Sequence, residues 1–187
     1  QIIGDATTDG DFGGDHISDI LWRNTSGQVG LWQLDGSGHP VSLSSLGGVA
    51  TSWHIEDTGD FNNDGKADIL WRNDNGQTVI WTMDGNNVTS TINLGGVGTA
   101  WQIQGAADVN GDGVSDIVWR NSTTGGVAVW TMTDTGQVSA TTSHGNISNA
   151  YHIQALADFN GDGTDDILWR NDNGQVALWQ MDGSQVV

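Results

Sequence analysis

Short apolar runs alternate with turns made of Gly, Asn and Asp along the whole chain. Between Trp53 and Gly96 four runs stand out: Trp53-His54-Ile55, Ile69-Leu70-Trp71-Arg72, Thr78-Val79-Ile80-Trp81-Thr82-Met83, and a weaker stretch from Val88 to Leu94. Turn residues bound them at Asp74-Asn75-Gly76, Asp84-Gly85 and Gly95-Gly96. Runs of β-branched and aromatic residues between such turns predict four antiparallel strands. The run Ile167-Leu168-Trp169 is apolar on both faces, which predicts a strand covered on both sides by neighbouring sheets.

The pattern is repeated. Segments beginning at Asp11, Asp60, Asp108 and Asp158 align throughout, with starts 49, 48 and 50 residues apart. Trp32, Trp81, Trp130 and Trp179 recur every 49 residues. The repeats run approximately over 1–48, 49–97, 98–146 and 147–187, the last being incomplete. Four strands in about 45–50 residues is the period of a propeller blade. The expectation is therefore an all-β, single-domain β-propeller over 1–187, built from four repeats of about 49 residues, each a four-stranded antiparallel blade. The blades would close alone or with a second chain. A β-sandwich also uses short strands, but sandwiches do not normally repeat their sequence. The fourth repeat stops at Val187 as its fourth strand should begin. Its edge would be filled by Gln1-Ile2-Ile3 or by a strand from a neighbouring molecule, giving a homo-oligomer or a strand-exchanged assembly.

Charge narrows the partners. The 187 residues carry 23 acidic and 5 basic side chains, a net charge of −18. Nucleic acid, which is bound by clustered Lys and Arg, is excluded as a partner. Ten Trp argue for a packed core and against disorder. Cysteine is absent, so neither disulfides nor thiolate metal sites are available. No apolar run approaches the roughly 20 residues of a membrane span, so no membrane insertion is expected. The segment QIIGDATTDG has neither a basic nor an apolar signal region, placing any signal peptide outside these residues.

Glu56 is the only Glu, so 22 of the acids are Asp, and they gather in one loop per repeat. The fullest loop is Asp158-Phe159-Asn160-Gly161-Asp162-Gly163-Thr164-Asp165-Asp166. Side-chain oxygens stand at loop positions 1, 3, 5 and 9, with Gly at 6, a spacing that suits the six to eight oxygen ligands of Ca2+. The expected ligands are Asp158, Asn160, Asp162 and Asp166; Asp60, Asn62, Asp64 and Asp68; and Asp108, Asn110, Asp112 and Asp116. Backbone carbonyls of Thr164, Lys66 and Val114 would complete the three strong sites. A fourth, weaker site would use Asp11, Asp15, Asp19 and the Ile17 carbonyl, because Gly13 replaces the Asn and His16 the Gly; Asp9 could substitute an oxygen. An EF-hand is excluded. Its bidentate Glu at position 12 is replaced by Trp22, Trp71, Trp119 or Trp169, within β-type runs.

The pattern DFNGDGTDDILWRN resembles the FG-GAP or VCBS repeat of integrin α-subunit propellers and many secreted bacterial proteins, in four copies covering nearly the whole chain. The resemblance implies calcium-binding propellers whose loops join the first and second strands of each blade. It also implies extracellular ligand-binding heads, lectins, or accessory domains of polysaccharide-acting enzymes.

The triplets Trp22-Arg23-Asn24, Trp71-Arg72-Asn73, Trp119-Arg120-Asn121 and Trp169-Arg170-Asn171 hold all four Arg. As a ligand site, Trp would stack on a sugar while Arg donates hydrogen bonds. The simpler reading is structural, with Arg paired to a loop Asp beside a core Trp. His54 and His152 occupy a position held by Gln102 in the third repeat, so they read as strand residues. No nucleophile elbow, zinc-binding His pair or phosphate loop is present, and an enzyme is not expected. The functional expectation is a calcium-binding extracellular module recognising a glycan or an extracellular protein. The alternatives are a structural subunit joined by strand addition and an accessory domain of a secreted polysaccharide-acting enzyme.

Overall fold

The computed structural model describes residues 10–187, so the expectations for Gln1-Ile2-Ile3 and Asp9 lie outside the described residues. The protein is all-β, as the runs predict. Two compact units divide it, Gln1–Val97 and Gly98–Val187, with the division between the second and third repeats.

The first unit holds two sheets. The first sheet has β1 (Ile20–Arg23), β2 (Gln28–Leu34) and β3 (Pro40–Gly48) in chain order. The second has β4 (Trp53–Gly59), β5 (Asp68–Asn73), β6 (Gln77–Asp84) and β7 (Asn87–Gly96), also in chain order. In the second unit, β8 (Trp101–Ala107), β9 (Asp116–Asn121), β10 (Gly126–Met132) and β11 (Val138–Asn146) form the third sheet. The fourth sheet has β12 (Tyr151–Ala157), β13 (Asp166–Asn171) and β14 (Val176–Trp179), and β15 (Met181–Asp182) pairs with β16 (Gln185–Val186) as a separate ribbon.

Every pairing is antiparallel, and its register is the same from repeat to repeat. Ile20 faces Trp32, Ile69 faces Trp81, Ile117 faces Trp130, and Ile167 faces Trp179. A bulge recurs between Ile55 and Asp57, between Ile103 and Gly105, and between Ile153 and Ala155. Such bulges bend and twist a strand at a fixed place.

The expected β-propeller is not formed. Each sheet is open, and none closes into a barrel or a propeller. Burial instead follows the joint inside each unit. In the first unit Phe12, Val29 and Leu31 pack with Ile69, Trp71, Val79 and Met83. In the second, Val109, Val118, Val127 and Val129 pack with Ile167, Trp169 and Met181. Cores of this kind supply the main favourable term in folding.

Candidate functional site

The acidic loops precede β1, β5, β9 and β13, and all four turn their carboxylates onto their own backbone. At position 1, Asp11 accepts from the amides of Gly14 (2.6 Å) and His16 (2.6 Å). Asp60 accepts from those of Asp64 (3.1 Å) and Gly65 (2.8 Å). Asp108 and Asp158 repeat this with Gly111 and Gly113 at 2.7 and 2.8 Å, and with Gly161 and Gly163 at 2.6 and 3.0 Å. These amides hold the exposed Asp158 carboxyl below the usual carboxylate range. At position 7, where carbonyls were expected to face an ion, the amides of Ile17, Lys66, Val114 and Thr164 donate to Asp15, Asp64, Asp112 and Asp162 at 2.9–3.0 Å. Position 3 closes the loop in the last three repeats: the Asn62, Asn110 and Asn160 amide groups donate to Asp64, Asp112 and Asp162 at 3.2, 3.0 and 2.8 Å.

Position 9 has a different task, which spacing did not disclose. Asp68 is fully buried and accepts from Phe61 in the loop (3.1 Å) and from Met83 on β6 (2.8 Å). Asp19 joins Phe12 (3.0 Å) to Leu34 (2.9 Å), and Asp166 joins Phe159 (3.2 Å) to Met181 (3.0 Å). Asp116 accepts from Met132 at 2.8 Å. These carboxyls buckle each loop to the strand about fifteen residues later. Burial pushes Asp68 up to about 7 and Asp116 up to about 8, against the lowering effect of the amides.

That arrangement corrects the expectation of a metal-binding, calcium-binding chain. Among the described residues no three His, Cys, Asp or Glu side chains form a group that could hold a metal ion. The oxygens drawn together by the sequence pattern are engaged by amides within the loop, and position 9 is turned into the core.

Arg72 and Arg120 serve carbonyls bared by the turns, where a pairing with a loop Asp was expected. Arg72 Nη1 donates to the Gly76 carbonyl (3.2 Å) and the Thr78 hydroxyl (3.0 Å), and Nη2 donates to the Val97 carbonyl (3.1 Å). Arg120 Nη1 donates to Gly125 O (2.8 Å), and its Nη2 to Ile147 O (2.9 Å) and Ser148 O (3.0 Å). These guanidiniums clip the second-to-third-strand turn to the segment after the fourth strand. They also cover the Trp of the next sheet: Arg23 lies 6.0 Å from the Trp71 ring and Arg120 5.0 Å from that of Trp169. Trp71, Trp119 and Trp169 are buried, whereas Trp22 and Arg170 reach solvent. His54 and His152 are strand residues, each held to a turn Asp, Asp74 at 2.7 Å and Asp172 at 2.9 Å.

Trp22 borders a cleft in the first unit. The cleft, of about 280 Å3, runs between β1 and β4 and is lined by Ile20, Trp22, Arg23, His54, Ile55 and Thr58. In sheet order, β1 is an edge strand among the described residues, while β5 and β9 are flanked by β4 and β8. Trp22 packs on Gly30, where a Cβ would collide with its indole. Val79, Ala128 and Ala177 take that place in the other repeats. Two polar atoms of the cleft wall are buried without a partner: Arg23 Nε and Thr58 Oγ1. Arg23 Nη2 is already spent on the carbonyls of Val49 (3.1 Å) and Ala50 (2.9 Å). An aromatic face beside orphaned polar atoms and an oriented imidazole suits a small, polar, ring-shaped ligand.

The fold and its loops define a repeat protein of open antiparallel sheets, each entered through an acidic turn. The model of the FG-GAP-like repeat matches residues 11–71, 60–119 and 108–169, and the chain belongs to that family. Each match runs from one acidic loop to the Trp of the following repeat. No curated protein matches the sequence. Among solved structures, the chain is similar to an Agrocybe aegerita lectin described as specifically recognising non-reducing terminal N-acetylglucosamine. The TM-score is 0.66 at 18% identity, over 91% of this chain and 50% of the lectin. This chain thus spans half the length of that protein, and at such identity the likeness is one of fold. No helix among the described residues is long and apolar enough to cross a membrane.

Proposed function

We propose that the protein is an extracellular glycan-recognition module without catalysis of its own, and that the sugar enters the cleft between β1 and β4. One observation carries the reading: the Trp22 indole, packed on Gly30 and partly exposed, shares the cleft lining with Arg23 and Thr58, whose Nε and Oγ1 are unpartnered. A pyranose offers an apolar face for the indole and hydroxyls that satisfy both polar atoms. Pairing groups otherwise left unsatisfied is where polar recognition gains selectivity. The shared fold with a lectin that recognises terminal N-acetylglucosamine supports the class of ligand and supplies the first probe.

A glycan array followed by titration calorimetry tests this, with terminal N-acetylglucosamine as the first titrant. Binding is expected for the native chain. It should be lost in Trp22→Ala and weakened at least tenfold in Gly30→Ala, whose added methyl displaces the indole. Silence across the array, or binding indifferent to Trp22, overturns the reading.

A further inference from the structure

Each unit contains one sheet-on-sheet joint, and the two joints are built from the same repeat positions. One side is a plug of aliphatic and aromatic residues: Phe12, Leu21, Val29 and Leu31 in the first sheet and its acidic loop, and Val109, Val118, Val127 and Val129 in the third sheet and its loop. The other side is a socket of Ile and two Trp: Ile69, Trp71 and Trp81 in the second sheet, and Ile167, Trp169 and Trp179 in the fourth. The plug's Arg covers the socket's Trp in both, at 6.0 and 5.0 Å. A backbone hydrogen bond also recurs across each joint, from Ala67 N–H to Asp11 O and from Asp165 N–H to Asp108 O, both at 2.8 Å.

The first and fourth sheets each carry the complementary half on their other face, and there it is open. Side chains alternate along a strand, so the first sheet's socket positions, Ile20, Trp22 and Trp32, point away from its plug. Trp32 is 38% exposed, and its register partner Leu43 is 65% exposed. The fourth sheet's plug positions are equally bare: Phe159 is 46%, Val176 61% and Leu178 41% exposed. Leu31 and Val29, their equivalents in the first sheet, are fully buried. Exposed apolar faces of this kind mark interaction surfaces.

We propose that these two faces join copies of the chain head to tail, the fourth-sheet plug of one copy docking on the first-sheet socket of a second copy. The occupant follows from the molecule itself, because the complement that each bare face lacks is present in the same chain at matching repeat positions. Arg170, exposed on the fourth sheet, is thereby brought over Trp22 of the second copy, as Arg23 covers Trp71 and Arg120 covers Trp169. The contact is heterologous, and such contacts propagate into rings or open filaments. Two chains of net charge −18 repel each other, so an apolar joint must strengthen as salt screens that repulsion.

Sedimentation velocity and light scattering on the native chain test the proposal. Mass should rise above the 19.8 kDa of one chain with concentration and with added sodium chloride. A plug variant, Leu178→Glu, and a socket variant, Leu43→Glu with Trp32→Glu, should each remain single chains. Mixed in equal amounts they should form a complex of two chains, since each keeps one intact face. Circular dichroism and the melting temperature verify that both variants fold. Docking lays Arg170 over Trp22 of a second copy, so glycan binding by Leu178→Glu should equal or exceed that of the native chain. Association without glycan binding fails the cleft alone, and glycan binding by a chain that never associates fails the joint alone. A native chain that stays at one mass in high salt overturns the proposal. A mixture that does not combine does so too, as does a plug variant that associates like the native chain.

Discussion

Trp22 and Trp71 hold the same place in consecutive repeats, each in an Ile-Leu-Trp-Arg-Asn run after an acidic loop. Trp71 is 1% exposed and Trp22 is 36% exposed. Nothing within the run distinguishes them. The difference comes from neighbours: the second sheet receives the plug of the first on its Trp face, and the first sheet receives none from the described residues. Gly30 completes the contrast, letting Trp22 lie on β2 where Val79 supports the second sheet. One pattern thus yields a core residue in one sheet and a surface residue in the next. What a repeat position does is decided across the joint.

The largest expected effect separates these two residues directly. Trp71→Ala should cost about 3–5 kcal/mol, the usual range for emptying a core aromatic site. Trp22→Ala should cost less than about 1 kcal/mol, because little of its cavity has to be refilled. Urea unfolding measures both, and glycan binding moves in the opposite order, lost at Trp22. Equal destabilisation would mean that Trp22 is packed like its counterpart and that the cleft is not open.

The next contrast lies within one loop family. Asp68→Ala leaves the amides of Phe61 and Met83 without acceptors in a buried setting. At about 1–3 kcal/mol for each unsatisfied group, a loss of roughly 2–6 kcal/mol follows. Asp15 is exposed and accepts the amide of Ile17 two residues on, so Asp15→Ala should stay within about 0.5 kcal/mol. Measured in chelator and again in calcium, the ranking should hold in both. If the cost of Asp68→Ala vanished in chelator, the amide buckle would not be what the carboxylate contributes.

Much of this architecture is written in the spacing. Alternating runs and Gly, Asn and Asp turns locate the sheet strands from β4 to β13, and the 49-residue recurrence of Trp marks the repeat, whereas the pairing of each Trp with an Ile emerges only in the folded hairpins. The first repeat also announces its irregularity through Gly13 and His16. Two features lie beyond that reach. Side-chain oxygens at positions 1, 3, 5 and 9 suit an ion cage, but spacing cannot tell an oxygen aimed at an ion from one aimed at a backbone amide. Asp68 bonds to Met83, fifteen residues away, and only the folded hairpin brings that amide near. Closure is likewise invisible, because a blade-like period is the same whether or not the sheets close. The Arg clips illustrate the same limit: a cation among Asp-rich loops reads as an ion pair, yet Arg72 and Arg120 serve carbonyls exposed by the turns.

The smallest effect concerns the loop that departs from the others. At position 6 the later repeats place Gly65, Gly113 and Gly163 at φ of 80°, 85° and 87°, while the first repeat holds His16 at 64°. A left-handed backbone costs a residue with a Cβ roughly 1–2 kcal/mol. His16 tolerates it because its amide donates to Asp11 Oδ2 at 2.6 Å, fixing the turn from within. His16→Gly removes the strain and keeps that hydrogen bond, but gives the unfolded chain extra freedom worth about 0.4–1 kcal/mol. The net gain should be up to about 1.6 kcal/mol, a rise of at most about 3–6 °C in melting temperature for a chain of this size. Gly65→His should move the second repeat in the other direction by a similar amount. A lower melting temperature for His16→Gly would show that the imidazole contributes more than its backbone costs, and that the first loop differs from the rest by design of its side chain rather than by a less permissive turn.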